Sequence, residues 1–169
     1  ASPEHDAAEL LAHVLGTTRS RLPLVDEGAG LRGAADDGLV ARRADREPLQ
    51  HLLGVAHFRH VELLVGPGVF VPRPETELLA GWAVEQAASL ETPVVLDLCT
   101  GSGAIALALM SERPDLVITA SDLSPEAVEA ARENADRLGL DFDVKVAKGY
   151  PDDIGEVDMV IANLPYITD

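Results

Sequence analysis

Residues 94–109, VVLDLCTGSGAIALAL, decide the fold, because an apolar run ends there in a glycine-rich loop and an apolar helical pattern follows. The first five residues are rich in Val and Leu and predict a short buried strand. Gly101, Gly103 and Ala106 then fit the G-x-G-x-x-G/A spacing, in which glycines permit a tight turn and a close approach of the backbone to a ligand. The same spacing also suits a plain strand-to-helix turn, so the flanking residues must distinguish the two.

An acidic residue at the end of the next predicted strand favours the ligand-binding interpretation. Asp122 lies 19 residues beyond Gly103, where its carboxylate can accept hydrogen bonds from both hydroxyls of a ribose. NAD would suit this spacing, but we identify no downstream His, Lys or Tyr set for hydride transfer. Asp97 precedes the loop, where we expect it to face the ligand. Carboxylates suit the sulfonium and ammonium groups of S-adenosylmethionine better than a pyrophosphate, so the residues favour S-adenosylmethionine over NAD.

Outward from this loop, strands and helices alternate toward the C-terminus. Alternation of this kind predicts an α/β domain with a parallel sheet and helices on both faces, which binds its ligands at the carboxyl ends of the strands. The predicted strands are residues 94–98, 116–122, 143–147 and 157–163, and the predicted helices are residues 104–112 and 124–138.

The N-terminal third has a different pattern. Ser2 as N-cap, Pro3 in the first turn and Gly16 at the end predict a helix, and weaker helical patterns follow at 31–43 and 47–53. Residues 55–72 are rich in Val, Phe and Leu and contain Gly-Pro-Gly, which indicates two or three short strands that include a hairpin. A helical pattern returns at 75–90, with Trp82 and its apolar neighbours predicted in the core.

These patterns divide the chain into a helical domain, a β-hairpin linker and a ligand-binding sheet domain. Their predicted ranges are 1–54, 55–74 and 75–169.

Composition narrows the function classes. A formal net charge of −16 disfavours free nucleic acid as a partner, because an acidic surface repels phosphates. The single cysteine, Cys99, excludes an internal disulfide and favours the cytoplasm, and no apolar run is long enough to span a membrane. His57 and His60 lack an evident third ligand, so we interpret them as surface residues and predict no metal site.

Four segments of the chain resemble a known protein family. NLPY, residues 163–166, resembles the Asn-Pro-Pro-Tyr signature of amino-group methyltransferases, which also occurs in DNA adenine methyltransferases. Residues 46–79, with the specific element PRPETE, resemble the interdomain region of the release-factor N5-glutamine methyltransferases of the HemK/PrmC type. Residues 96–109 and 121–135 resemble that family's core, so the resemblance covers nearly the whole chain.

The resemblance implies a function and a partner. In this family a methyl group passes from S-adenosylmethionine to the side-chain amide nitrogen of a glutamine in a peptide chain release factor. The helical N-terminal domain would help to dock that protein. The resemblance further implies a Rossmann-like methyltransferase fold, and we expect a cytoplasmic monomer that binds neither free nucleic acid nor a membrane.

Site residues follow from the same resemblance. The side-chain oxygen of Asn163 and the carbonyl of Leu164 would accept the two amide hydrogens, Pro165 would stiffen the tetrapeptide and Tyr166 would pack against the glutamine. Arg73, Pro74 and Glu75 would cover the site. The implied cofactor contacts are Asp97, Thr100, Gly101, Gly103, Asp122, Leu123, Tyr150 and Asn163.

Three positions depart from the family pattern. Leu164 replaces a proline, Cys99 replaces a usual glycine, which is harmless if its φ is negative, and Gly149 replaces a frequent acid near the adenine. Together they leave open a module that binds cofactor or a partner without turnover. The wider occurrence of the Asn-Pro-Pro-Tyr signature leaves open a methyltransferase acting on another amide or on an exocyclic amine such as adenine in DNA. The family's catalytic domain continues past its Asn-Pro-Pro-Tyr strand, so we expect the full-length protein to contain more chain.

Overall fold

The computed structural model describes residues 2–25 and 37–164, which belong to two units, Ala1–Gly54 and Val55–Asp169. The described part of the first unit is helical. Ser2 caps its first helix, since the Ser2 hydroxyl accepts a hydrogen bond from the His5 amide at 3.3 Å. Leu10, Leu49 and Leu52 form its small apolar core. Its elements are α1 (Pro3–Val14), a 3₁₀ helix (Arg19–Leu24), α2 (Asp37–Ala44) and α3 (Leu49–Leu53).

The helix predicted at 31–43 appears as α2 from residue 37, and residues 31–36 lie outside the described residues. No helix in the described ranges is both long and apolar enough to cross a membrane.

The second unit begins with an antiparallel hairpin. β1 (Val55–Phe58) pairs with β2 (Val61–Leu64), and Arg59 in the turn has a φ of 51°. Residues 65–72, where a third strand was possible, form no strand. Helix α4 (Thr76–Ala87) follows.

The remaining elements form the predicted parallel sheet. Its strands and helices are β3 (Val94–Leu98), α5 (Ala104–Glu112), β4 (Val117–Asp122), α6 (Pro125–Leu138), β5 (Asp143–Val146) and β6 (Met159–Ala162). The strand order is β5-β4-β3-β6, and all pairs are parallel. The chain runs outward from β3 to β5 and then crosses back to the other side of β3, so the strand order reverses there. The expected α/β class is confirmed, and a ligand site is expected at the carboxyl end of β3.

The described helices of this unit lie in one layer. α4 packs against α5, and α5 packs against α6. The prediction of helices on both faces is therefore not met within residues 55–164. The reason is that two successive right-handed crossovers in the same direction, β3 to β4 and β4 to β5, place their helices on the same face of a sheet.

The prediction that Trp82 lies in the core is wrong, because 53% of its surface is exposed. Helix α4 instead turns Ala80, Ala83 and Ala87 inward, and all three are fully buried. Small side chains let α4 approach α5 closely, and this contact outweighs the larger apolar area that Trp82 would bury. The core around them is formed by large side chains such as Phe58, Leu63, Leu96, Leu107 and Leu109.

Candidate active site at the glycine loop

Three strands in register bring two predicted site residues, Asp122 and Asn163, to one edge of the sheet together with Cys99. Leu98 of β3 pairs with Ser121 of β4 and with Ala162 of β6. The next residues along the three strands are Cys99, Asp122 and Asn163, which therefore emerge side by side. A cavity of about 470 Å³ opens at this edge, a size typical of small-molecule sites. It is lined by Phe70, Pro72, Thr76, Cys99, Thr100, Gly101, Ser102, Ala104, Ile105, Asp122, Leu123, Asn163 and Leu164.

The two glycines of the loop serve different purposes. Both have positive φ, 58° at Gly101 and 81° at Gly103. A Cβ at Gly101 would meet nothing within 4 Å, so the backbone there is open to a ligand in the cavity. A Cβ at Gly103 would lie 2.9 Å from Cδ1 of Leu107 and 3.3 Å from Cβ of Ala131, so this glycine permits the close packing of α5 and α6. Gly101 lines the cavity, whereas Gly103 is not among the lining residues.

Cys99 is held in a left-handed conformation, with φ of 57°. The condition under which cysteine would be harmless, a negative φ, is not met. Its thiol is exposed and lines the cavity. Partial desolvation of the sulfur raises the pKa of Cys99, and the nearby carboxylates of Asp122 and Asp97 add to this shift, so the neutral thiol is favoured over the reactive thiolate.

Asp122 connects the second strand end to the glycine loop. Its Oδ2 accepts a hydrogen bond from the Gly101 amide at 2.9 Å, and its Oδ1 accepts one from the Ser124 amide at 3.0 Å. Because a carboxylate offers about four lone-pair positions, each oxygen keeps capacity for a second donor. Asp122 and the following Leu123, both predicted to contact the cofactor, line the cavity.

Asp97 lies beneath the loop rather than facing the cavity. It is fully buried, and its Oδ2 accepts a hydrogen bond at 2.7 Å from the hydroxyl of Thr100, which does line the cavity. Burial raises the pKa of Asp97 to about 7, the Thr100 hydrogen bond opposes this shift, and the Asp122 charge adds to it. Its hydrogen bond to Thr100 thus connects Asp97 to the wall of the cavity.

The start of the closing tetrapeptide lies on the opposite side of the cavity. Asn163 and Leu164 both line it, and 58% of the Leu164 surface is exposed. Asn163 donates a hydrogen bond from Nδ2 to the hydroxyl of Thr76, the first residue of α4, at 3.2 Å. The predicted partners Pro165 and Tyr166 lie outside the described residues.

The segment predicted to cover the site contributes through its flanks. Phe70, Pro72 and Thr76 line the cavity, whereas Arg73, Pro74 and Glu75 are exposed and are not among the lining residues. The Arg73 guanidinium lies 5.3 Å from the centre of the Phe70 ring, which fits a cation–π contact.

Tyr150, the predicted aromatic contact of the adenine, is not brought into this cavity. Its hydroxyl donates to the Gly155 carbonyl at 2.7 Å, and its ring lines a separate depression beside Lys145 and Asp153. The neighbouring Gly149 is attached to the sheet, because its carbonyl accepts a hydrogen bond from the Ser121 hydroxyl at 3.2 Å.

The fully buried side chain of Asn134 on α6 links the hairpin to the loop. Its Oδ1 accepts from the Leu64 amide at 2.6 Å, and its Nδ2 donates to the carbonyls of Leu64 and Ser102, both at 3.0 Å. The amide thus joins the end of β2, which leads into the covering segment, to the glycine loop. Within the described ranges, no cluster of three or more His, Cys, Asp or Glu side chains could hold a metal ion.

The sequence interpretation missed Phe70, Thr76 and Asn134. Thr76 lies inside the quoted PRPETE element, directly after the residues that were selected, so the motif itself was its signal. Asn134 is an amide on a helix that otherwise presents small apolar residues inward, which was a weaker signal.

Comparison with known proteins places this geometry in a family. The model of the methyltransferase small domain matches residues 64–169, and that of the PrmC N-terminal domain matches residues 1–54. This chain belongs to the methyltransferase small domain family. The methyltransferase unit therefore contains the whole cavity described above.

Curated relatives confirm the resemblance noted in the sequence. The chain is 46% identical over 169 residues to the release factor glutamine methyltransferase of Streptomyces coelicolor, covering 98% of this chain and 59% of the relative. It is 48% identical over 170 residues to the protein of the same name from Mycolicibacterium smegmatis, covering 99% and 60%. The chain thus spans about 60% of the length of these relatives.

Solved structures support the methyltransferase fold. The ribosomal protein L11 methylase of Lactobacillus delbrueckii subsp. bulgaricus superposes with a TM-score of 0.52 at 26% identity, covering 65% of this chain and 66% of its own. The tRNA (uracil-54, C5)-methyltransferase of Pyrococcus abyssi, solved with S-adenosyl-L-homocysteine, also gives 0.52 at 21% identity, covering 63% and 26%. The latter similarity concerns the fold alone.

Proposed function

We propose that this chain forms the cofactor-binding and amide-binding part of an enzyme that transfers a methyl group from S-adenosylmethionine to a glutamine side chain of a peptide chain release factor. The carrying observation is that the glycine loop, Asp122 and Asn163 share one cavity. The relatives named release factor glutamine methyltransferase support the choice of acceptor.

The cavity fits the proposed cofactor. The open space above Gly101 would allow the backbone to approach it, and the remaining lone pairs of Asp122 would accept the two ribose hydroxyls. Ile105, Leu123 and Phe70 supply apolar surface for the adenine and methionine portions. S-adenosylmethionine would supply an electrophilic methyl group on a sulfonium.

Asn163 and Leu164 would prepare the acceptor. A glutamine amide nitrogen is a poor nucleophile, because its lone pair is delocalised into the carbonyl. Two fixed acceptors, Oδ1 of Asn163 and the carbonyl of Leu164, would hold both amide hydrogens and so orient the nitrogen toward the methyl group. In the proposed reaction the nitrogen would gain the methyl group as the carbon–sulfur bond broke with its electron pair left on sulfur, and the nitrogen would then release one proton to water.

Further contacts complete the proposal. Pro165 would restrict the preceding Leu164 to an extended conformation, and Tyr166 would pack against the glutamine side chain. Arg73, Pro74 and Glu75 would contact the acceptor protein, since they are exposed beside the cavity. Tyr150 would reach the adenine only if it released the Gly155 carbonyl.

The helical N-terminal unit, 1–54, would dock the release factor, a role supported by its match to the PrmC N-terminal domain. The hairpin residues 55–74 would link it to the methyltransferase domain that begins at residue 75. We further propose a cytoplasmic monomer that does not bind free nucleic acid or membranes, in keeping with the net charge of −16 and the single cysteine.

The decisive experiment incubates the full-length protein with methyl-labelled S-adenosylmethionine and its cognate release factor. A matched release factor has its loop glutamine changed to asparagine. Label in the glutamine form alone supports the proposal, and Asn163→Ala is expected to abolish it while S-adenosylhomocysteine still binds. Cofactor binding without formation of S-adenosylhomocysteine contradicts the proposal and identifies a non-catalytic module. Label entering DNA adenine instead contradicts the choice of acceptor.

A further inference from the structure

The orientation of the Asn163 amide is held by a contact from outside the tetrapeptide. Nδ2 of Asn163 donates to the hydroxyl oxygen of Thr76 at 3.2 Å, across 87 residues of sequence. Both side chains are partly buried and line the same cavity. With Nδ2 engaged by Thr76, Oδ1 is the atom that remains for a ligand in the cavity.

This orientation matters because the two ends of an asparagine amide are nearly the same in shape and opposite in hydrogen bonding. Oδ1 accepts, whereas Nδ2 donates. A glutamine nitrogen carries two hydrogens and can be held only by acceptors. If the Asn163 amide rotated by half a turn, its NH₂ group would face the NH₂ group of the glutamine. Both groups are hydrogen-bond donors, so the glutamine amide could not be held.

Thr76 itself is well placed to impose the orientation. It is the first residue of α4, and its amide donates to the Arg73 carbonyl at 3.0 Å. The next residue, Glu77, accepts hydrogen bonds from the backbone amide and from the guanidinium of Arg59, both at 3.1 Å. The hydroxyl therefore sits on a helix end fixed from two sides.

We infer that Thr76 is a positioning residue for methyl transfer: its hydroxyl accepts from Nδ2 of Asn163 and so holds the amide in place with its oxygen toward the cavity, the arrangement that favours glutamine. The inference rests on the proposed function, since it concerns how that acceptor is held. It assigns the end of the PRPETE element a role in acceptor selection rather than in covering the site.

Two substitutions separate the hydroxyl from the shape of the side chain. Thr76→Val keeps the branched shape and removes the hydroxyl, whereas Thr76→Ser keeps the hydroxyl and removes the methyl group. Thr119→Val is the matched control, because it makes the same change on β4, partly buried and away from the residues that line the cavity. All are made in the full-length protein.

Three quantities are measured for each variant. The first is kcat with the cognate release factor, and the second is the Kd of S-adenosylhomocysteine. The third is the ratio of Kd values for the release factor and for a form with its loop glutamine changed to glutamate, measured with S-adenosylhomocysteine present. A glutamate carboxylate carries acceptors only, so it prefers the opposite orientation of the Asn163 amide.

Thr76→Val is expected to lower kcat by about five- to tenfold, the factor that corresponds to one hydrogen bond of ordinary strength. It should also reduce the preference for the glutamine form over the glutamate form, measured as the ratio of their Kd values, while leaving the Kd of S-adenosylhomocysteine within about twofold of wild type. Thr76→Ser and Thr119→Val should resemble wild type in all three quantities. Wild-type behaviour of Thr76→Val would overturn the inference. So would an equal loss in Thr76→Ser, or a parallel loss of S-adenosylhomocysteine affinity. Should Thr76→Val fail to fold, Thr76→Ala carries the same prediction.

A direct measurement keeps this inference separate from the proposed function. In ¹⁵N-labelled protein the side-chain NH₂ of Asn163, assigned by its loss in Asn163→Ala, should exchange its hydrogens faster in Thr76→Val than in wild type. If wild type fails to methylate the release factor but this difference is present, the proposed function falls and the orienting contact stands. If methylation occurs and the difference is absent, the contact falls and the function stands.

Discussion

The left-handed backbone at Cys99 predicts that glycine at this position stabilises the protein. At φ of 57° a residue with a Cβ costs roughly 1–2 kcal/mol relative to glycine. Glycine also makes the unfolded chain more flexible, which lowers the free energy of unfolding by roughly 0.5–1 kcal/mol and offsets part of the relief of strain. The thiol is exposed, so little packing is lost with it. We therefore expect Cys99→Gly to raise the free energy of unfolding by about 0.5–1 kcal/mol.

Cys99→Ala is the control that distinguishes backbone strain from any effect of the thiol. Alanine keeps the Cβ and hence the strain, so its free energy of unfolding should stay within about 0.5 kcal/mol of wild type. Urea denaturation followed by circular dichroism measures both variants, and thermal unfolding should show a rise of roughly 2 °C for glycine alone. Equal stabilisation by alanine and glycine would refute the reasoning, as would a loss of stability in the glycine variant.

Three further predictions concern other residues of the site. Asp97, with its folded-state pKa raised to about 7, keeps its proton in the folded state while the unfolded chain loses it above the ordinary value of 3.8. The contribution of Asp97 to the stability of wild type therefore falls as the pH rises from 4 to 7. The stability of Asp97→Asn relative to wild type should grow by up to about 4 kcal/mol over this interval in urea titrations, and the opposite trend would contradict the assignment. Asn134→Asp should lower the free energy of unfolding by about 2–4 kcal/mol, because an acid cannot donate to both the Leu64 and Ser102 carbonyls; a loss below about 1 kcal/mol would mean that the hairpin is held elsewhere. Leu164→Pro should raise kcat a few-fold with unchanged cofactor affinity, because proline fixes φ at the residue whose carbonyl would accept from the glutamine amide. The exposed leucine side chain has little packing to lose. An unchanged kcat would show that the carbonyl is already rigid.

The parallel sheet and the glycine loop were predictable because their signals are local. Each of these signals is formed by residues within a few positions of one another, as in the apolar strand β3, in the glycine loop, and in the N-cap Ser124, whose hydroxyl accepts from the Ala127 amide at 3.1 Å. Strand register then follows from burial. Asp122 and Asn163 were brought together with the loop for this reason, since each directly follows an apolar strand.

Trp82 shows where local periodicity fails. The period tells which residues of α4 share a face, but two faces were available, one with Trp82 and one with three alanines. Which face is buried depends on how close α5 comes, and the sequence of α4 alone does not contain that distance. The small-residue spacing Ala80, Ala83 and Ala87 was the missed signal.

Cys99 shows a second limit. The sign of φ at a residue other than glycine is set by the turn that contains it, here the turn from β3 into the loop. The chemical identity of cysteine carries no information on that sign. The one indication of a left-handed conformation was the family pattern, which usually has glycine at the position of Cys99.

The contacts that could not be predicted join the hairpin and the start of α4 to the rest of the unit. The loop side is held by backbone pairing within the sheet, which a pattern of strands predicts. The other side is held by three polar links, Asn134 with Leu64, Asn163 with Thr76, and Arg59 with Glu112 at 2.5 and 2.7 Å. Each spans more than 50 residues of sequence, so no local pattern encodes it.

This division has a functional consequence. Substitutions on the loop side, such as those at Asp122, should change cofactor affinity first, because that side meets the ribose in the proposed complex. Substitutions in the three polar links should change turnover or acceptor choice first, because they position α4 and Asn163. Arg59 is the clearest case, since its guanidinium reaches both Glu112 on α5 and the Glu77 carbonyl on α4. A single turn residue of the hairpin thereby fixes the start of α4, and with it the hydroxyl of Thr76 that holds the Asn163 amide.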